Sequence, residues 1–266
     1  MVRVAICGVA GRMGQRLAHL ALASDEVELT GATEYEGHAG VGGDVGEVIG
    51  APATGVVVKS AAAEAIERAD VAICFTTPAS TLETAAACAA AGVAMVVGTT
   101  GFTDSELAEF KASAAAVACV FAPNFSTAMN VLFRLVEETA RILGDDYDVE
   151  IVEAHHHLKV DAPSGTALRL GEQAAAGLDR NLSEVAVHGR QGVVGQRTRQ
   201  EIGMHSIRLG DVAGEHTVMF GAAGEYLALK HCATSRDAFA RGALRAAGFA
   251  AAAAPGLYDM GDVLGI

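Results

Sequence analysis

The chain has 266 residues, 51% of them apolar but only 5% aromatic, no Trp, and a formal charge of −13. A chain of this length can bury a sizeable core, as one large α/β domain or two smaller ones, and its Ala-, Val- and Gly-rich apolar content suits helices packed closely on a sheet. The acidic balance argues against nucleic acid or an anionic membrane as partner, since both need a basic footprint, so any anionic ligand has to be held by local donors.

The N-terminus, "VRVAIC" at 2–7, reads as a strand and lacks the basic segment, apolar stretch and cleavage site of a secretion signal. A helix over 12–23 follows, then "VELTGAT", a Gly-rich loop region over 35–55, "GVVV", a helix over 61–68 and "VAICF". Next come a helix over 82–91, "AMVVG", a helix over 104–115 and "ACVFAP". Continuous apolar strands separated by helices predict a parallel sheet covered on both faces, the doubly wound arrangement. The longest uncharged apolar run, 85–98, is too short to span a bilayer. Cys7, Cys74, Cys88, Cys119 and Cys232 are far apart and form no C-x-x-C pair, as expected of reduced residues in a cytoplasmic protein.

The rhythm changes after Pro123. Met129, Leu132, Phe133, Val136 and Ile142 recur near helical spacing and predict a helix over 126–143. The strand "YDVEIVEA" follows, and Ser164 is placed as the N-cap of a helix running to Ala176. Residues 190–200, "RQGVVGQRTRQ", are basic and punctuated by Gly, and are expected to form a mobile loop. From Ile202 the chain reads as strands, "HSIRL", "HTVMFGA" and "EYLALKHCA". An Ala-rich helix over 235–254 matches the first half in composition, which predicts a return to the first domain before a short tail.

The first strand leads into "CGVAGRMG", with Gly8, Gly11 and Gly14 at a strand–helix junction. Glycine allows a tight turn and close approach of backbone amides to a pyrophosphate, while the helix N-terminus supplies unpaired N–H groups. The G-x-x-G-x-x-G spacing departs from the usual G-x-G-x-x-G, so the strand–helix context carries the assignment. Glu34, twenty residues beyond Gly14, ends the second strand where a carboxylate can accept from ribose hydroxyls. Arg12 stands either beside a phosphate or in solvent. Two further loops, "GTTGF" (98–102) and "APNFS" (122–126), fall at the carboxyl ends of strands, where an open parallel sheet binds ligands.

The densest chemistry lies in "EAHHHLKVDAPSGTAL", residues 153–168. If the strand continues, His155 and His157 point to one face and His156 to the other. Metal ligation is the first rival, but no Cys or His pair elsewhere completes a set, so no metal is expected and His157 is read as structural.

Together with "GVAGRMG", "GTTGF", "NFS", "GDVAGEHTVMF", Ser235-Arg236 and "GLYDMGDVL", this segment closely resembles the dihydrodipicolinate reductase family, nearly end to end. The resemblance implies reduction of the dehydrated form of 4-hydroxy-tetrahydrodipicolinate by hydride from NADH or NADPH, in diaminopimelate and lysine synthesis. It implies His155 as catalytic acid/base, Lys159 as second proton donor or electrostatic stabiliser, and His156, Gly165 and Thr166 as substrate contacts. Cofactor contacts are implied at Gly8, Val9, Ala10, Gly11, Arg12, Met13, Glu34, Gly98, Thr99, Thr100, Ala122, Pro123, Asn124 and Phe125. The implied fold is a Rossmann-like α/β nucleotide domain (1–126 and 236–266) and an α+β substrate and tetramerisation domain (127–235) with an open mixed sheet, assembling as a homotetramer. Hinges are expected near Ser126 and Ser235. Family members that use NADPH well often carry Arg after the acidic residue and a basic residue at the position of Thr77; here Tyr35 and Thr77 stand there, so NADH is at least as well supported. An amino-acid or semialdehyde dehydrogenase, a nucleotide-sensing regulator and a metal-dependent hydrolase remain as rivals.

Overall fold

The computed structural model describes residues 1–266, which divide into two compact units, Met1–Thr127 with Arg236–Ile266, and Ala128–Ser235. In chain order the first unit begins β1 (Val2–Cys7), α1 (Arg12–Leu22), β2 (Val27–Thr33), α2 (Val45–Ile49), β3 (Val58–Lys59), α3 (Ala62–Ala65) and β4 (Val71–Cys74). It continues α4 (Pro78–Ala91), β5 (Ala94–Val97), α5 (Asp104–Ala114) and β6 (Ala118–Phe121). The second unit holds α6 (Thr127–Leu143), β7 (Asp148–His155), α7 (Gly165–Gly177), α8 (Leu182–Val185), β8 (Ala186–His188), β9 (Ile202–Arg208), β10 (Gly214–Ala222) and β11 (Glu225–Ala233). The chain then returns to the first unit as α9 (Asp237–Ala250), β12 (Gly256–Tyr258) and α10 (Met260–Leu264).

The first unit is a seven-stranded parallel sheet in the order β12-β6-β5-β4-β1-β2-β3. Alternate residues of β1 enter different cores, Val4 and Ile6 beside Leu17 of α1 and Ala243 of α9, Ala5 and Cys7 beside Cys88 of α4 and Phe110 of α5. Burial on both faces is why these strands are unbroken apolar runs. Helix α4 begins a turn before the expected Leu82, because Pro78 occupies its first position and the Thr77 side chain accepts from Ser80 N. Helix α3 is shorter than expected, a loop residue group over 45–49 folds as α2, and the tail carries β12 and α10. All four of these elements are short: β12 docks along β6 with Leu257 against Cys119, while α2 and α10 are capped locally by Asp44 and Asp259.

The second unit is a five-stranded mixed sheet, β11-β10-β7-β9-β8. β9 and β10 follow each other in sequence but not in space, since β7 lies between them, parallel to β9 and antiparallel to β10. Strand alternation aims Val149, Ile151, Glu153 and His155 to the covered face of β7. There Val149 and Ile151 join Met129 and Val136 of α6 and Leu170 of α7 in one core.

The loop over 190–200, expected to be mobile, is tied to the sheet at two arginines, while residues 191–196 between them are exposed. Arg197 donates to Glu150, Asp148 and the carbonyls of Val149 and Glu201, and Arg190 pairs with Glu150 and Glu201. Burial would raise Glu150, but these arginines and His205 hold it down at about 2. No helix is long and apolar enough to cross a membrane.

Candidate active site

The glycine turn after β1 is a close-packed device. Gly8 adopts φ +73°, and its amide and that of Val9 both donate to Thr33 O, which fastens the turn to the end of β2. A Cβ at Gly14 would lie 2.1 Å from Gly8 O, so the helix meets the turn only with glycine there. Glu34 is buried, and its Oε1 accepts from Ala10 N at 2.7 Å, making the carboxylate a latch on the turn. Gly11 caps α1 without a side-chain hydrogen bond. The first-turn amides are therefore served by no capping side chain, and the donor set fits a pyrophosphate.

An open cleft of about 930 Å³ adjoins this turn, lined by Gly8, Ala10, Gly11 and Glu34 among the residues read from sequence. Val9 is buried, Met13 packs partly against the core and Arg12 is exposed. Gly98, Thr99 and Thr100 follow β5, and Ala122, Pro123, Asn124 and Phe125 follow β6, outside the cleft lining. A Cβ at Gly98 would run into the Phe75 ring at 2.1 Å, and the Phe125 ring lies edge-on to Phe75 in the core. Thr99 Oγ1 is 2.7 Å from Thr81 Oγ1 and accepts from Thr76 N, forming a hydroxyl cluster at the ends of β4 and β5. Thr76 and Thr81 escape sequence reasoning; the available signal was "TTP" directly after a buried strand.

The second unit gathers a polar cluster around Glu153, which is 1% exposed on the covered face of β7. Its neighbours come from three elements. Arg208 of β9 stands opposite His155 in register and donates to both carboxylate oxygens at 2.8 Å, and Ser164 N donates to Oε1 at 3.3 Å. His155 Nδ1 lies 2.5 Å from Oε2. Burial would push Glu153 up, but the Arg208 and His155 hydrogen bonds overcome it and hold the carboxyl at about 2. His216 of β10, opposite Glu153, sits edge-on to His155 with ring centroids 5.2 Å apart, its Nε2 3.2 Å from Ser164 Oγ. Burial, with the His155 charge added, pushes His216 down to about 3. Sequence reasoning missed Glu153, Arg208 and His216 as members of this cluster. The signal for Glu153 was its alternation with Val149 and Ile151, which marks a carboxylate on an apolar face.

β7 ends at His155, so the later histidines lie in a loop. His157 N and Nδ1 both engage Gly210 O, and His156 N donates to Val212 O. Lys159 Nζ pairs with Asp161 at 2.8 Å. Burial tends to raise Asp161, and the Lys159 hydrogen bond outweighs it and lowers the carboxyl. Ser164 Oγ accepts from Ala167 N as the cap of α7, with Gly165 and Thr166 in the first turn of that helix. No three or more His, Cys, Asp or Glu side chains converge as a metal cage.

Residues 2–125 match the family profile "Dihydrodipicolinate reductase, N-terminus" and residues 128–264 the profile "Dihydrodipicolinate reductase, C-terminus". The chain is 50% identical over 266 residues to the 4-hydroxy-tetrahydrodipicolinate reductase of Syntrophobacter fumaroxidans, covering 100% of both. It is 51% identical to that of an Anaeromyxobacter species, covering 100% of this chain and 98% of the relative. Among solved structures, the dipicolinate-bound dihydrodipicolinate reductase of Paenisporosarcina sp. TG-14 superposes with a TM-score of 0.74 at 28% identity, over 97% of each chain. Matching profiles over both units, full-length relatives and a shared fold agree: the chain belongs to the dihydrodipicolinate reductase family.

Proposed function

We propose that this chain reduces the dehydrated form of 4-hydroxy-tetrahydrodipicolinate to tetrahydrodipicolinate, as an NAD(P)H-dependent oxidoreductase of diaminopimelate and lysine biosynthesis. The observation that carries the reading is the family membership across both units. A bound nicotinamide dinucleotide supplies the hydride. The glycine turn and the uncapped start of α1 hold the pyrophosphate, and Glu34 accepts from the ribose through the lone pairs that Ala10 N leaves over. Gly98 to Thr100 and Ala122 to Phe125 complete the cofactor contacts through the loops after β5 and β6. The cleft lining includes Glu34, Glu36 and Glu83 with His38 but no Lys or Arg, so a 2′-phosphate meets mostly like charge, which favours NADH.

In the second unit, Gly165 and Thr166 hold one substrate carboxylate at the amino end of α7, where first-turn amides and the helix dipole favour an anion. His156 supplies a further substrate contact. His155 delivers a proton to the ring carbon next to the hydride acceptor, and Lys159 acts as second donor or stabilises the developing enamine charge. The unit is also the tetramerisation surface in this reading. Strand β11 borders the sheet, has a partner on one side only, and leaves Tyr226 74% and Leu227 43% exposed, an edge that assembly would cover. The free, buried Cys7, Cys74, Cys88 and Cys119 agree with a reducing, cytoplasmic setting.

The test is the loss of reduced-cofactor absorbance with substrate generated in situ from pyruvate and aspartate semialdehyde, titrated with NADH and NADPH in parallel. Turnover, with a higher kcat/KM for NADH, is expected. Tight NADH binding without turnover on this substrate would sink the reductase reading and favour a nucleotide sensor. Sedimentation velocity tests the tetramer, for which a single species of four chain masses is expected.

A further inference from the structure

We propose that Glu153 is a positioning residue that fixes the His155 ring in the Nδ1–H form, so that Nε2 is the atom that hands over the proton. This rests on the reading of His155 as the acid.

The geometry is set by the sheet. Glu153 and His155 are two residues apart on β7 and share its covered face, which brings Oε2 to 2.5 Å from Nδ1. The carboxylate is itself held in place, by both nitrogens of the Arg208 fork and by Ser164 N, so it cannot swing away from the ring. Arg208 is anchored in turn by donating to Asp161 O at 2.6 Å. An ionised carboxylate has no proton to give, so in this contact Nδ1 must be the donor. The opposite edge of the ring faces bare backbone. Gly214 begins β10, and the nearest atom that a Cβ there would meet is His155 Nε2, at 3.1 Å. Any larger residue would crowd that nitrogen.

The proton balance follows. The Nε2–H bond of the imidazolium breaks, the new C–H bond forms at the substrate ring carbon, and the neutral imidazole left behind keeps Nδ1–H on Glu153. A glutamine at 153 would keep the shape but present its NH2 group to Nδ1 while its oxygen faces Arg208. The neutral product ring would then meet donor against donor. The ring would also lose the carboxylate on its Nδ1 while the cations Arg208 and Lys159 remain, with the neutral imidazoles His216 and His231 packed beyond it and Asp161 paired to Lys159.

The experiment compares Glu153→Gln, Glu153→Asp and His155→Gln with the native enzyme. For Glu153→Gln, kcat is expected to fall by about 10²-fold or more, the range of a general acid, with KM and NADH affinity within about twofold. The alkaline limb of its kcat profile moves to lower pH, because the imidazolium loses its counter-charge. Glu153→Asp, which keeps the charge on a shorter arm, recovers part of the rate and returns the limb toward its native position. Nitrogen-15 spectra of the native protein, with the His155 ring assigned by its absence in His155→Gln, read the tautomer directly even if a variant does not fold. The Nδ1–H form is expected above the ring's titration. A native ring protonated on Nε2 instead, or a folded Glu153→Gln enzyme with unchanged kcat and pH profile, would overturn the proposal. Full activity in His155→Gln would instead remove the acid reading beneath it, so the two failures are distinguishable.

Discussion

Truncating a group that acts on the reacting atoms should leave the rest of the machinery in place. His155 and Lys159 lie in the second unit, whereas the glycine turn and Glu34 lie in the first. His155→Gln and Lys159→Ala are accordingly expected to lower kcat by roughly 10²–10⁴-fold while NADH affinity, read by fluorescence titration, stays nearly native. Near-normal rates in both variants would refute the assignment. Ser164 offers a different test, because its Oγ both accepts from Ala167 N and contacts His216 Nε2. Ser164→Ala removes a helix cap worth about 1 kcal/mol and strips a buried imidazole nitrogen of its partner. A lowered Tm together with a raised KM is expected, since the amides proposed to hold the substrate carboxylate begin at this cap; an unchanged KM would detach α7 from substrate binding. At this scale the sequence displayed the residues proposed to touch ligands, because glycine turns and clustered histidines are locally conspicuous. It concealed Glu153, Arg208 and His216, whose roles arise only when β9 and β10 flank β7.

Within a single helix, one substitution can have opposite signs. Gly242 and Gly248 both lie inside α9. A Cβ at Gly242 would fall 1.7 Å from Phe125 O, a backbone atom that cannot rotate aside, whereas a Cβ at Gly248 meets nothing within 4 Å. Gly242→Ala should therefore destabilise by about 1–3 kcal/mol or prevent folding, as overpacking does, while Gly248→Ala should stabilise by roughly 0.5–1 kcal/mol through helix propensity alone. Thermal melts of the two variants against the native chain decide the matter, and a shift of the same sign in both would show the α9 packing to be wrong. The same logic explains which elements could be read in advance. Buried parallel strands and long helices carry their burial in their composition, so β1, β4, β5, α6 and α9 stand out. The tether of the 190–200 loop depends on Arg197 reaching Asp148 and Glu150, residues almost fifty positions away, and no local pattern encodes that.

Across the whole molecule, the response to acid should be uneven, because the groups with the largest resolved depressions are concentrated in the Ala128–Ser235 unit. His216 is held at about 3 by burial, and His231 is also lowered by burial. Above pH 6.5 such an imidazole is neutral whether the unit is folded or not, so it contributes no pH dependence there. Below 6.5 the unfolded chain takes up a proton that folded His216 refuses until about 3, and stability falls with pH throughout that window. At up to ~1.4 kcal/mol per pH unit, His216 alone removes roughly 2 kcal/mol by pH 5. Glu150 and Glu153, both held at about 2, stabilise the fold fully above the usual carboxylate value of 4.5, and that contribution is lost as pH falls from there through 2. In the other unit the lowered carboxylates Asp44, Asp70, Glu106 and Asp237 gain protons only below the ordinary carboxylate range, so they add nothing between pH 6.5 and 5. Hydrogen exchange at pH 7.5 and pH 5, corrected for intrinsic rates, should show protection of β7 and β10 falling by roughly 30-fold for 2 kcal/mol, while β1 and β4 change little. His216→Gln should flatten that difference, because glutamine has no proton to take up in the unfolded chain. Equal losses in both units, or a native β7 insensitive to pH across this window, would show that His216 is not the acid-labile point of the fold.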